Sequence, residues 1–180
     1  MIRFRSDITR RNERIRARQR SWSATNHAMM GLALDLAGQA RAIGEVPVGA
    51  VVVLRGRVVG EGFNRAESLA DPTSHAEIEA IREAATALGD WRLSECTLYS
   101  TFEPCPMCAG AIVNARVGRL VYGVTNPKAG AVASLYNLCN YARLNHRVEV
   151  LGGVRARECG LVLCRFFRGP RRVFNASRRR

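Results

Sequence analysis

Two short stretches, Ser74-His75-Ala76-Glu77 and Glu103-Pro104-Cys105-Pro106-Met107-Cys108, constrain what this chain can fold into more than any other feature. One imidazole and two thiolates form a three-ligand zinc site only if the fold brings segments about thirty residues apart onto one point, and such a site leaves the fourth tetrahedral position for water. Glu77, two residues beyond the imidazole, is then free to carry protons without binding metal.

Singly, each piece has a plainer reading. A Cys-x-x-Cys pair in a chain of six cysteines also fits half of a structural zinc site or a redox motif. Ser74-x-x-Glu77 ahead of an apolar-periodic run is a capping box, in which the carboxylate satisfies a backbone N–H. A lone His75 is a polar helix-start residue. Together they favour catalysis, because a structural site needs a fourth ligand and no second Cys-x-x-Cys or His pair supplies one. Cys96, Cys139, Cys159 and Cys164 are isolated and read as buried apolar thiols.

The local pattern sets both stretches at helix starts. Ile78, Ala80, Ile81, Ala84, Ala85 and Leu88 recur at helical spacing up to Gly89, so His75 and Glu77 fall in a first turn. Residues two apart do not share a helix face, so both reach one metal only if His75 occupies the irregular terminus. Pro106 suits a first helical position and 107–114 continues the helix, placing Cys105 and Cys108 where unpaired N–H groups favour thiolate. Segments 48–54, 97–102 and 120–122 are strand-like in their β-branched and aromatic content, 57–61 pairs with the first across Arg55-Gly56, and 24–42 reads as one helix. The order helix, strand pair, helix, strand, helix, strand, strand, helix is an α/β pattern.

Zinc lowers the pKa of a bound water to about 7. A carboxylate beside that water can move its proton to a ring nitrogen and then to a departing amine, the relay that hydrolytic deamination needs. The His-Glu-x-x-His of zinc peptidases is absent.

In Val46-Pro47-Val48-Gly49-Ala50-Val51, Gly62-Phe63-Asn64-Arg65, Asp71-Pro72-Thr73-Ser74-His75-Ala76-Glu77, Glu103-Pro104-Cys105-Pro106-Met107-Cys108-Ala109-Gly110-Ala111, Pro127-Lys128-Ala129-Gly130-Ala131 and Asn145-His146-Arg147, the stretch 26–172 resembles the bacterial tRNA-specific adenosine deaminases (the TadA family) of the zinc-dependent cytidine and deoxycytidylate deaminase superfamily. The resemblance implies a cytidine-deaminase-like three-layer α/β/α sandwich with a mixed five-stranded sheet. It implies one zinc per chain on His75, Cys105 and Cys108, with Glu77 catalytic, and conversion of adenosine to inosine at the wobble position of a tRNA anticodon, that of arginine tRNA with anticodon ACG. It sets Asn64, with Pro47 and Val48 nearby, around the adenine and its ribose, and the loop of Asn126 and Lys128 along the sugar-phosphate backbone. It also implies a homodimer, for which Met107, Ala111 and Ile112 beside Ala109 and Gly110 offer a surface, unless that face packs on the sheet.

Relatives usually carry Asp where this chain has Asn126. The exchange trades a charged acceptor for a neutral group that both donates and accepts, and predicts better tolerance of single-stranded DNA. The competing reading is turn chemistry before Pro127. Guanine and deoxycytidylate deaminases share the His-Ala-Glu and Cys-x-x-Cys elements and are the alternative enzymes, opposed by the Pro127–Ala131 loop and the arginine-rich end. A non-catalytic RNA-binding zinc module is the other alternative, opposed by the intact Glu77.

Charge is confined to the two ends. Residues 1–20 carry eight Arg against Asp7 and Glu13, or +6, and residues 165–180 carry seven Arg and no acid, or +7, which together make the whole net charge of +13. Basic ends on a neutral body suit phosphate contacts without disturbing the core, although basic termini are often plain tails. In the C-terminal segment Val162, Phe166 and Phe167 share a helical face that would hold Arg165 and Arg168 near the body, making Arg165 a candidate tRNA contact. The expected organisation is a basic disordered extension over 1–23, a deaminase domain over 24–172 and a basic tail over 173–180. No apolar run is long enough to span a bilayer, so no membrane role is expected. The free thiols point to the cytoplasm, with an organellar transit role for 1–23 as the minor alternative.

Overall fold

Strand β1 (Gly49–Leu54) is buried along nearly its whole length, as befits a central strand covered on both faces. In the computed structural model, which describes residues 3–169 with side chains from Ser23 onward, its side chains alternate between two cores. Ala50 and Val52 join Leu98 and Leu120 on one side, while Val51 and Val53 join Tyr99 and Val121 on the other.

β1 pairs antiparallel with β2 (Arg57–Phe63) across Arg55-Gly56, where both φ angles are positive (50° and 81°), the combination a two-residue type I′ hairpin requires. Its other neighbour is β3 (Cys96–Phe102), also antiparallel, and β4 (Arg119–Val124) and β5 (Glu149–Leu151) extend the sheet in parallel to the order β2-β1-β3-β4-β5. Helix α1 (Arg3–Ala42) covers one face with Met30, Ala33 and Leu36. A short α2 (Ala66–Leu69) precedes α3 (Ala76–Leu88) and α4 (Pro106–Asn114), which cover the opposite face. A 3-10 turn (Leu138–Asn140) follows β4, and α5 (Ala156–Arg168) joins α1 through Cys159. This is the mixed five-stranded α/β/α sandwich implied by the sequence.

Helix α1 starts at Arg3, not at residue 24; the segment holds no proline, and arginine is a good helix former. The cysteine-bearing α4 packs on the sheet: Ala109 and Ile112 are fully buried there, so they cannot also face a second subunit. On α5 the inward stripe is Cys159, Leu163 and, half-buried, Val162 and Phe166. Phe167 lies off that stripe at 67% exposure, its ring T-shaped against Phe166, and Cys164 is exposed for the same reason, against the buried reading of both. Residues 1–2 and 170–180, including the tail 173–180, lie outside the described residues. Among the described residues no helix is long and apolar enough to cross a membrane.

Candidate active site

Two helix starts converge at the carboxyl end of β3, the side of an open α/β sheet on which ligands bind. His75 is the N-cap residue of α3 with extended backbone (φ −86°, ψ 152°), and Cys105 is the N-cap of α4 (φ −72°, ψ 173°), with Pro106 at the first helical position. Neither cap residue uses its side chain to cap, so both are free to point at a common centre. His75 at the irregular terminus also resolves the spacing problem: Glu77, one position into the regular helix, turns to the same place.

His75 Nδ1 lies 3.6 Å from Cys105 Sγ and 3.5 Å from Cys108 Sγ, and the three ligand atoms all fall within 4.8 Å of one another. Ligands at ~2.3 Å (sulfur) and ~2.05 Å (nitrogen) from a tetrahedral zinc stand about 3.6 Å apart, so the donor set fits that ion in type and spacing. With Nδ1 toward the sulfurs, the ring proton belongs on Nε2. Hydrogen bonding from Cys108 and from His75 outweighs burial and lowers the Cys105 thiol to about 4, making it the readier thiolate. His75 is raised, chiefly by its hydrogen bond with Cys105.

Glu77 is 4% exposed, and its Oε2 lies 3.5 Å from Cys108 Sγ. Burial pushes its carboxyl up from the usual range. It does not form the capping box: Ser74 instead donates to Glu79 at 3.2 Å, and Glu79 pairs with Arg65 at 2.6 Å. Ser100 Oγ, from the middle of β3, stands 2.8 Å from the Phe102 carbonyl and 3.3 Å from Glu77 Oε1, so its one proton can go to either, and when donated to Glu77 it holds the carboxylate from the sheet side.

The other sequence candidates fall into three places. Asn64, Pro47 and Val48 are together, since the Asn64 N–H donates to the Val48 carbonyl at 3.0 Å and Pro47 and Asn64 are buried. Asn126 is 9% exposed, and its Oδ1 accepts from the N–H groups of Lys128 (3.3 Å) and Ala129 (3.1 Å), so that oxygen is taken up by the turn. Lys128 itself is exposed, whereas Arg165 is exposed on α5, in the layer across the sheet from His75.

Two buried carboxylates escaped the sequence reading. Glu45 accepts from Asn64 Nδ2 at 3.0 Å and from the Ser68 N–H at 2.7 Å, and so fixes the Asn64 amide. Nothing local marks it, because its partners lie 19 and 23 residues away. Glu103 accepts from the 126–134 loop; burial would raise its carboxyl, but hydrogen bonds from Ser134, Asn126 and Ala133 outweigh this and hold it below the usual range. Its adjacency to Pro104-Cys105 was the available signal. A cleft of about 610 Å³ between Phe63, Arg65, Arg82 and Glu83 includes none of His75, Glu77, Cys105 and Cys108 in its lining.

A buried carboxylate against a His/Cys/Cys cluster, at the carboxyl end of a mixed sheet of this order, defines a hydrolytic deaminase of the cytidine-deaminase-like fold. The MafB19-like deaminase family model matches residues 24–169. The tRNA-specific adenosine deaminase of Haemophilus influenzae is 46% identical over 150 residues, covering 83% of this chain and 87% of that protein. A solved structure from studies of A-to-I editing by tRNA:A34 deaminases superposes with a TM-score of 0.73 at 46% identity, covering 76% of this chain and 99% of that one. The guanine deaminase of Bacillus subtilis is less alike: TM-score 0.52 at 42% identity, covering 54% of this chain and 63% of its own. The chain belongs to the tRNA-specific adenosine deaminase family.

Proposed function

We propose that this protein converts adenosine to inosine at the wobble position of a tRNA anticodon in the cytoplasm, that of arginine tRNA with anticodon ACG among its substrates. The observation that carries the reading is the approach of buried Glu77 to the His75/Cys105/Cys108 cluster, in a chain whose relatives act on tRNA. A zinc ion on this donor set would supply Lewis acidity, bringing the pKa of a water to about 7. Glu77 accepts one proton of the water that attacks C6 of the adenine and passes it to the ring nitrogen N1, then takes the second from the new C6 hydroxyl and gives it to the amine, so that the C6–N bond breaks, ammonia leaves and inosine remains. Ser100 holds that carboxylate in reach of both positions. Asn64, oriented by Glu45, with Pro47 and Val48, lines the place of the extruded base and its ribose. Asn126, through its remaining amide nitrogen, and Lys128 meet the sugar-phosphate backbone, and Arg165 adds a phosphate contact.

The same reading includes a homodimer, on a surface other than the inner face of α4. Leu135, Tyr136, Tyr141 and Leu144 are 39–56% exposed in the segment that packs around the 3-10 turn beside α4, an apolar group suited to two-fold burial. Sedimentation should give twice the 19.9 kDa chain mass, and a monomer at micromolar concentration rules the dimer out.

The test of function is sequencing of total tRNA after incubation with the purified protein, reading inosine as guanosine. A-to-G change at the first anticodon position is the expected result. Turnover of free guanine or deoxycytidylate with no change in tRNA would move the protein to the other branch of the fold.

A further inference from the structure

Glu103 is 1% exposed, ionisable and outside the metal cluster, yet it is the most heavily bonded side chain near the site. Oε1 accepts from three successive amides, Val132 (3.3 Å), Ala133 (2.8 Å) and Ser134 (2.9 Å). Oε2 accepts from the Asn126 N–H at 2.8 Å and from Ser134 Oγ. All five donors belong to one loop. That loop returns a bond, Ala131 N–H to the Pro104 carbonyl at 2.9 Å, so it is tied at both ends of the Glu103-Pro104 peptide. Gly130 makes the approach possible: a Cβ there would stand 2.5 Å from Glu103 Cδ and Oε2. Five converging N–H and O–H donors call for a group that only accepts, and a carboxylate, with about four lone-pair sites, is the side chain that supplies it.

We infer that Glu103 is a positioning residue that sets the 126–134 loop against the turn bearing Cys105 and Cys108, holding Asn126 and Lys128 where they meet the substrate backbone. The loop is one side of the substrate cleft only on the tRNA reading above, but its attachment to Glu103 does not depend on that reading. Cys105 follows Glu103 by two residues, so the same short peptide carries a metal ligand and the anchor of the loop.

Two variants attack the contact from opposite sides. Glu103→Gln puts an amide donor against backbone N–H groups, and Gly130→Ala puts a methyl against the carboxylate while leaving Glu103 in place. Each is compared with the parent for zinc content, for amide hydrogen exchange in peptides covering 126–134, and for kinetics on an RNA anticodon stem-loop bearing adenosine. Both should keep about one zinc per chain, exchange the 132–134 amides about tenfold faster or more, and raise KM about tenfold with kcat within about threefold, the size of one charge-assisted hydrogen bond. Unchanged exchange in both variants overturns the inference, as does faster exchange with parental KM. Loss of zinc in both variants as complete as in Cys105→Ala would make Glu103 part of the metal turn instead of a loop anchor, and also overturns it. A parent that edits no RNA defeats the tRNA reading, while the exchange and zinc arms still decide whether Glu103 fixes the loop.

Discussion

A Cβ on Gly62 would stand 2.2 Å from the carbonyl oxygen of Ala76, the residue between His75 and Glu77. Two residues back on the same strand face, a Cβ on Gly60 would stand 2.3 Å from the Ala80 carbonyl. The pair of glycines lets α3 lie directly on β2, and that closeness sets where the first turn of α3, with its imidazole and carboxylate, comes to rest.

Gly62→Ala should therefore destabilise by about 1–3 kcal/mol, since backbone and not a flexible side chain blocks the methyl. Metal affinity should fall with it, because His75 moves with α3. Gly38→Ala, where a Cβ meets nothing within 4 Å, should instead stabilise by up to about 1 kcal/mol. Urea denaturation of both variants, with zinc titration of the first, checks the pair.

The elements that obey a local period were readable in advance. Helix α3 ends at Gly89 in the left-handed region (φ 66°), and α4 starts at Pro106, as their residue types dictate. The convergence of His75, Cys105 and Cys108 was readable because ligand chemistry restricts residue type as well as spacing. Gly60, Gly62, Glu45 and Glu103 were not, since each acts on a partner distant in sequence and leaves no periodic trace. Phe167 and Ile112 show the converse failure. Both are apolar on a helix, but which of the two sides faces the sheet is decided by packing, and it buries Ile112 while leaving Phe167 outside.

On the proposed function, Asn126 is expected to set the sugar preference. Its Oδ1 serves the turn, and Asp could serve the turn equally, so Asn126→Asp should keep the fold while replacing the amide donor with a second, charged acceptor. The natural protein should show a lower RNA-to-DNA ratio than Asn126→Asp in adenine deamination on matched RNA and DNA hairpins. An unchanged ratio would leave Asn126 with the turn alone.

The basic C-terminus should show itself in salt dependence. Phe166 is half-buried, so the cut that spares α5 falls after Gly169, and it removes five arginines. The parent's tRNA affinity should fall steeply with salt. The truncation should flatten the log–log slope by about 2, corresponding to two or three phosphate contacts at ~0.7–0.9 each. Parallel salt curves for the two proteins would remove the tail from the binding surface.

On the proposed function Glu77 works on protons beside a zinc that it does not hold, and Glu77→Ala tests this when zinc and inosine are assayed on the same preparation. The variant should keep about one zinc per chain, like the parent, and form inosine in tRNA about a hundredfold more slowly or worse. Near-parental editing, or metal loss as complete as that of Cys105→Ala, would contradict it.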